Sequence, residues 1–290
     1  MSIIVPSYNQ GRYIAETLES ILAQDYRPIE VLVVDGASTD ETVEVVTRFA
    51  DRHPEVRWWS EPDAGVVEAV NKGLAAAAGR FAAIQSSDDI YLPGAVRTAV
   101  EALEADPGAG LVYGDFYPMD ADSVPIGPPT RWAPFTIANF LSRHTIVTQY
   151  TAFFRLDLVR ELGGWRDDYF VADEDLWYRM VFRTGARKID RVMAGSRRHD
   201  DQRDKQVATI WESYARMISE LPEIGASPWR LRRAARAGRR VMVQYYDPDR
   251  SALYVPAQLW RALAGYPPAW RAIRDKSLLW PRLGRRDARG

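Results

Sequence analysis

The sequence predicts an α/β fold: a mainly parallel sheet flanked by helices, followed by a basic helical C-terminal extension. Three observations carry that expectation. Short apolar runs alternate with stretches of helical periodicity through the first half of the chain, the pattern of strands covered on both faces. Two of those runs end on carboxylates, at Asp35 and at Asp88-Asp89. Charge then divides sharply near Pro228. Residues 228–290 hold 15 Arg and Lys against 4 Asp, a balance of +11, while the whole 290-residue chain carries −1 and residues 1–227 therefore about −12.

The elements follow in order. Residues 2–6 form a short apolar strand, and Ile14, Leu18, Ile21 and Leu22 recur at helical spacing. Residues 29–35 read as a strand closed by Asp35. Ser38 and Glu41 have the spacing of a capping box, ahead of an apolar stripe at Val43, Val46 and Phe49. A strand at 56–60, a helix at 65–78 and a strand at 80–85 come next, then the polar stop Ser86-Ser87-Asp88-Asp89. Pro93 suits the first position of a helix running to about Glu104. The Pro- and Gly-rich stretch 117–130 reads as a loop and a seam. Beyond it, strands are expected at 150–154 and 188–193. A helix is expected at 205–221, with Val207, Ile210, Trp211, Tyr214, Met217, Ile218 and Leu221 as its core stripe.

Composition excludes several chemistries. The chain has no Cys, so disulfides, thiolate metal sites and Cys nucleophiles are ruled out, and a reducing compartment fits. Its opening residues lead into an apolar strand without a preceding charged segment, which predicts no signal peptide. No apolar run approaches the roughly 18 residues of a spanning helix. Neither Gly-x-Gly-x-x-Gly after the first strand nor a P-loop motif occurs, so a dinucleotide or P-loop site is unsupported.

Several residue groups could carry chemistry, each with a blander alternative. Asp88 and Asp89 after a strand can hold a divalent cation against a diphosphate, or simply suit the positive end of the following helix. Asp35 can accept from a base or a ribose hydroxyl, or form a turn with Gly36. Asp173-Glu174-Asp175 opens an amphipathic helix; the acids complement its dipole, and one could be a general base for a hydroxyl. His199, in a charged loop, can be a solvated residue, a metal ligand or a phosphate contact.

Taken together, Ser2-Ile3-Ile4-Val5-Pro6-Ser7-Tyr8-Asn9, Val33-Val34-Asp35-Gly36-Ala37-Ser38-Thr39-Asp40, Ser60-Glu61-Pro62-Asp63-Ala64-Gly65, Asn71-Lys72-Gly73 and Ser87-Asp88-Asp89 with Pro93 resemble glycosyltransferase family 2. That family consists of inverting enzymes with the GT-A fold, and the similarity covers roughly residues 1–200. The resemblance implies that Pro6, Ser7 and Asp35 contact the nucleotide and that Asp88 and Asp89 match the metal-binding Asp-x-Asp region, placing Asp88 against both metal and nucleotide. It aligns the catalytic base with Asp173 and sets His199 where several members have a metal-associated His. The charge break near Pro228 and the loop at 117–130 set a domain at 1–227, with a donor half about 1–116 and an acceptor half about 131–227, followed by the basic extension at 228–290. Three positions depart from the pattern: Ser86 stands for the first acid of Asp-x-Asp, Gly36 for a frequent second Asp, and Ala172 for a Glu before the base.

The expectation is an inverting, Mg²⁺- or Mn²⁺-dependent glycosyltransferase. It would move a sugar from a nucleotide-sugar donor to a saccharide or lipid-linked acceptor in cell-surface polysaccharide or glycolipid assembly. The competing reading is a non-catalytic nucleotide-sugar binding or scaffold module held to a membrane by its basic tail. In the tail, Trp229, Trp260, Trp270 and Trp280 interleave with Arg, which suits an anionic membrane surface, with the chain cytoplasmic and peripheral. Alternatively, these arginines cover the acidic front domain. Nothing else in the chain supports nucleic acid as a partner.

Overall fold

The computed structural model describes residues 1–200, 202, 206–245, 253–274 and 276–279. In chain order the strands and α-helices are β1 (Ser2–Ser7), α1 (Gly11–Leu22), β2 (Glu30–Asp35), α2 (Thr42–Ala50), β3 (Val56–Ser60), α3 (Val66–Ala76), β4 (Phe81–Ile84) and β5 (Ile90–Tyr91). There follow α4 (Ala95–Ala105), β6 (Leu111–Met119), α5 (Ile137–Leu141), β7 (Ala152–Arg155), α6 (Leu156–Glu161), α7 (Ala172–Thr184), β8 (Ala186–Arg197), α8 (Val207–Glu220), α9 (Pro222–Ala226), α10 (Trp229–Val241) and α11 (Tyr254–Gly265). These elements fall into two compact units interleaved in sequence.

The first unit takes the described residues within Met1–Arg131, Val147–Asp168 and Ala172–Asp201. It is built on an eight-stranded sheet of order β3-β2-β1-β4-β7-β6-β8-β5. β1, β2 and β4 are buried almost throughout, which is why they read as unbroken apolar runs rather than alternating ones. Edge strand β3 alternates instead, exposing Arg57 and Trp59. β3, β2, β1 and β4 pair in parallel; β7 enters antiparallel between β4 and β6, and β8 returns parallel to β6. Six strands therefore end at one edge of the sheet, with β1 at the reversal of strand order between β2 and β4. Ligands bind open α/β sheets at such a position.

The expected mainly parallel sheet is present, with differences in detail. α2 buries Thr42, Val45 and Val46, leaving Val43 and Phe49 only partly covered. α4 begins at Ala95 behind a left-handed Gly94, two residues past Pro93. The first residues of the expected loop at 117 belong to β6, and β8 is twice the expected strand, reaching Arg197. The Ser38/Glu41 capping box does not form: Asp40 takes the N–H and hydroxyl of Thr42, while Ser38 turns back to Asp35.

The second unit takes the described residues within Trp132–Ile146, Tyr169–Val171 and Gln202–Gly290. It is helical. Val241, Leu259, Ala262, Ile273 and Leu279 lie in its apolar core, with Trp211 packed against them. α10 meets α5 so closely that a Cβ on Gly238 would stand 2.0 Å from the Leu141 carbonyl oxygen, which only glycine permits. α8 starts at Val207 and buries Ser213, Tyr214, Met217 and Ile218, a narrower stripe than the sequence suggests. No helix among the described residues is long and apolar enough to cross a membrane.

Candidate active site

The site begins where β1 and β2 end side by side. Ser7 pairs in register with Asp35, and Asp35 with Ser60 of β3. Asp35 is buried, and its carboxylate accepts from Ser38 Oγ at 2.5 Å, Ser38 N at 2.9 Å and Ser60 Oγ at 2.7 Å. Three donors hold this charge at the mouth of the sheet, where an isolated buried carboxylate would be costly. Beside it, the buried Ser7 hydroxyl has no hydrogen-bond partner among the described residues. Pro6 is buried in β1 opposite Val34.

The loops leaving these two strands are tied together. Asn9 N donates to Ser38 Oγ at 2.8 Å and Thr39 N to Asn9 Oδ1 at 2.9 Å. Gln10 N donates to Thr42 Oγ1 at 2.8 Å and Gly11 N to Asp40 Oδ2 at 2.9 Å. Partial burial would raise the Asp40 carboxyl, but the hydroxyl and N–H of Thr42 and the N–H of Gly11 outweigh it and hold Asp40 below the usual carboxylate range.

The turn after β4 carries the acid pair. Asp88 is partly open, its side chain 15 % exposed, and its Oδ2 stands 3.0 Å from Nε2 of His199, whose ring is 4 % exposed. The Tyr13 ring lies against the imidazole, centroids 4.7 Å apart. Asp89 is buried. Its Oδ1 accepts from Arg197 N at 2.8 Å, and burial together with the neighbouring Asp88 charge pushes its carboxyl well up. β8 sets this geometry: ending at Arg197, it delivers His199 to Asp88.

Arg197 is the residue that sequence reasoning passed over. It is buried, and its guanidinium donates to the carbonyls of Asp88 and Ala121, to Ser123 Oγ at 2.8 Å and to Glu16 Oε2 at 2.6 Å. In sequence it looked like one cation in a charged loop. Only the length of β8, one side chain of which points inward every second residue, could have hinted otherwise.

Asp88 and His199 suit a divalent cation by donor chemistry, one carboxylate and one imidazole converging on one point. Among the described residues no three His, Asp or Glu groups form a cage. That fits a cation whose remaining positions are filled by substrate phosphates and water.

Asp173 lies in the first turn of α7, partly exposed, with Asp175 two residues on. The two acids differ completely in setting. Asp175 is buried, accepts from Arg166 Nε at 3.0 Å and Arg179 Nε at 2.9 Å, and is thereby spent on structure. The segment leading there is fixed to α3: Asn71 Oδ1 accepts from Trp165 N at 2.9 Å and Asn71 Nδ2 donates to Trp165 O at 2.9 Å. Gly164, at φ +70°, allows this, since a Cβ there would meet Asn71 Oδ1 at 2.4 Å. Gln149 Nε2 donates to Ser86 Oγ at 3.2 Å, linking the approach to β7 with the acid turn.

This is the GT-A fold of glycosyltransferases. It resembles S. aureus TarS 1-349 in complex with UDP-GlcNAc, with TM-score 0.68 and 17 % identity over 92 % of this chain and 80 % of that one. It also resembles the mannosyltransferase PcManGT from Pyrobaculum calidifontis in complex with GDP-Man and Mn²⁺, with TM-score 0.64 and 22 % identity over 93 % and 75 % of the two chains. The family model for glycosyl transferase family 2 matches residues 2–163, and the chain belongs to that family. Glycosyltransferase GlyG of Streptococcus pneumoniae is 35 % identical over 121 residues, 41 % of this chain and 40 % of its own length. An uncharacterized glycosyltransferase of Rickettsia typhi is 26 % identical over 226 residues, 76 % of this chain and 70 % of its own. The chain thus spans less than half the length of GlyG.

Proposed function

We propose that the chain transfers a sugar from a nucleotide-sugar donor to an acceptor hydroxyl with inversion at the anomeric carbon. The observation that carries this reading is the convergence, at one edge of a family 2 sheet, of Ser7 and Asp35 with the Asp88–His199 pair. The nucleotide-sugar complexes of TarS and PcManGT support the donor class.

Each group has a task. Asp35, held by Ser38 and Ser60, presents a fixed negative edge to the base or ribose, and the Ser7 hydroxyl gains a partner when the nucleotide arrives. Asp88 and His199 would hold Mg²⁺ or Mn²⁺, with Asp89 behind them supporting the turn. When bound, the cation neutralises charge building on the departing nucleoside diphosphate. Asp173 takes the proton of the acceptor hydroxyl as its oxygen attacks and the bond from anomeric carbon to phosphate oxygen breaks. The Asp88–His199 donor pair and the Mn²⁺ held with GDP-Man in PcManGT support metal dependence. We assign the acceptor to saccharides or lipid-linked saccharides of cell-surface polysaccharide or glycolipid assembly, reached from the cytoplasmic face of a membrane; the basic, Trp-bearing tail supports that placement.

A panel of sugar nucleotides tests the reading. One donor should raise the melting temperature in the presence of Mg²⁺ or Mn²⁺ and be hydrolysed slowly without acceptor. Equal response to every sugar nucleotide and to free nucleotide, with no hydrolysis, would favour a binding module instead.

A further inference from the structure

The second unit presents a face whose chemistry is not used by the transfer reaction. Among the described residues from Trp229 to Leu279 there are ten Arg or Lys and no Asp or Glu; Asp247, Asp249 and Asp275 lie outside the described residues. On α10, Arg230, Arg232, Arg233 and Arg236 are exposed, while Ala234, Ala235, Ala237, Gly238 and Val241 are buried. Trp229, at the start of that helix, is 54 % exposed, with the guanidinium groups of Arg230 and Arg233 5.5 and 5.3 Å from its ring centroid. Arg233 Nε also donates to Gly265 O, which brings Trp229 beside the end of α11 and the exposed Pro267-Pro268 turn. That turn carries Trp270, 49 % exposed, with Lys276 Nζ 4.9 Å from its ring centroid.

We infer that this face docks on an anionic lipid bilayer, with Trp229 and Trp270 at headgroup level and the α10 arginines against lipid phosphates. Half-exposed indoles paired with cations have the make-up of interfacial anchors. With no Asp or Glu among the described residues of their own segment, the exposed arginines offer the attraction that a negative leaflet rewards. A single-stranded nucleic acid would need open ring faces for stacking, and here guanidinium and ammonium groups already lie over the rings.

The structure also fixes how docking happens. The apolar side of α10 is spent inside its own unit, against α5 and the core around Val241 and Leu259. α10 therefore cannot roll its apolar face into acyl chains, as an amphipathic helix that folds on a membrane does. The unit docks ready-folded, through charge and two indoles.

This inference rests on the membrane placement proposed above, and the test separates the two. The full chain is mixed with phosphatidylcholine vesicles, with or without phosphatidylglycerol, and sedimented. It should bind only the anionic vesicles, release at high salt, and show no gain of helix by circular dichroism. Arg232→Gln and Arg236→Gln should each lower partitioning about fivefold and together roughly 25-fold, with Trp229→Ala and Trp270→Ala reducing it further. These positions are exposed, so melting temperatures should match the parent. Failure of the parent to bind anionic vesicles overturns the membrane placement itself. Binding that none of the four variants alters keeps the placement and rejects this face. Capture of a single-stranded oligonucleotide but not of vesicles transfers the face to nucleic acid, and a gain of helix on binding rejects the ready-folded mode.

Discussion

His199 Nε2 and Asp88 Oδ2 meet at 3.0 Å across 111 residues of sequence. Neither residue alone exceeds the bland reading of a surface histidine or a helix-approach acid; together they make a two-donor site at the carboxyl edge of the sheet. Asp88→Asn and His199→Ala should each weaken the cation's stabilisation of a bound nucleoside diphosphate by at least about tenfold, the scale on which even supporting partners of a metal site act. Melting curves against Mn²⁺ concentration measure this. Unchanged cation dependence in both variants would remove the metal assignment.

Asp173 and Asp175 should separate cleanly. Asp173→Asn should lower turnover by roughly 10²–10⁴-fold and leave donor binding and melting nearly unchanged. Asp175→Asn should instead destabilise the chain by about 3–5 kcal/mol, because Arg166 and Arg179 lose the carboxylate between them. Kinetics and thermal unfolding on the same two proteins decide it, and a stable, inactive Asp175→Asn would move the base.

The Asp40 brace gives a pH signature. Its carboxyl is held below the usual range in the folded chain, so it binds protons less readily there than when unfolded. Its stabilising contribution is present above the unfolded value and disappears as pH falls through the folded one. Asp40 is exposed, so solvent screens the brace; Asp40→Asn should therefore cost no more than about 1 kcal/mol at neutral pH, and the difference from the parent should shrink below about pH 4. A pH-independent gap would mean that shape, not charge, makes the brace.

Arg197→Met keeps bulk but removes donors from the Asp88 and Ala121 carbonyls, Ser123 and Glu16. A loss of about 3 kcal/mol is expected, since buried acceptors are left without partners. Reduced metal response should accompany it, because the same side chain fixes the backbone of Asp88. Full stability in this variant would show that its contacts are dispensable.

Much of this was legible beforehand, for physical reasons that differ by residue. β1, β2 and β4 stand out because strands buried on both faces are continuous apolar runs, and Asp35 is conspicuous as the charge that ends one. The family resemblance pointed to Asp88, Asp173 and His199, and the structure brings Asp88 and His199 together. What stayed hidden depends on distant partners. Ser60 became a support of Asp35 only through strand register, and nothing local reveals that Arg197 covers Asp89. The two-residue strand β5 exists only by pairing with β8, and so carries no local signal of its own. Asp173 and Asp175 are alike in sequence and unlike in space, because Arg166 arrives from outside the helix.

Gly238 under the Leu141 carbonyl has a wider consequence. The inward side of α10 tolerates almost no change, whereas Arg230, Arg232 and Arg236 on its outward side lie exposed at the surface. Substitutions can therefore accumulate on one side of this helix while the other stays fixed. A descendant could trade Arg230, Arg232 and Arg236 for acids or amides, and so reverse the charge of this surface, in a few single-residue steps that leave the packing beneath it untouched.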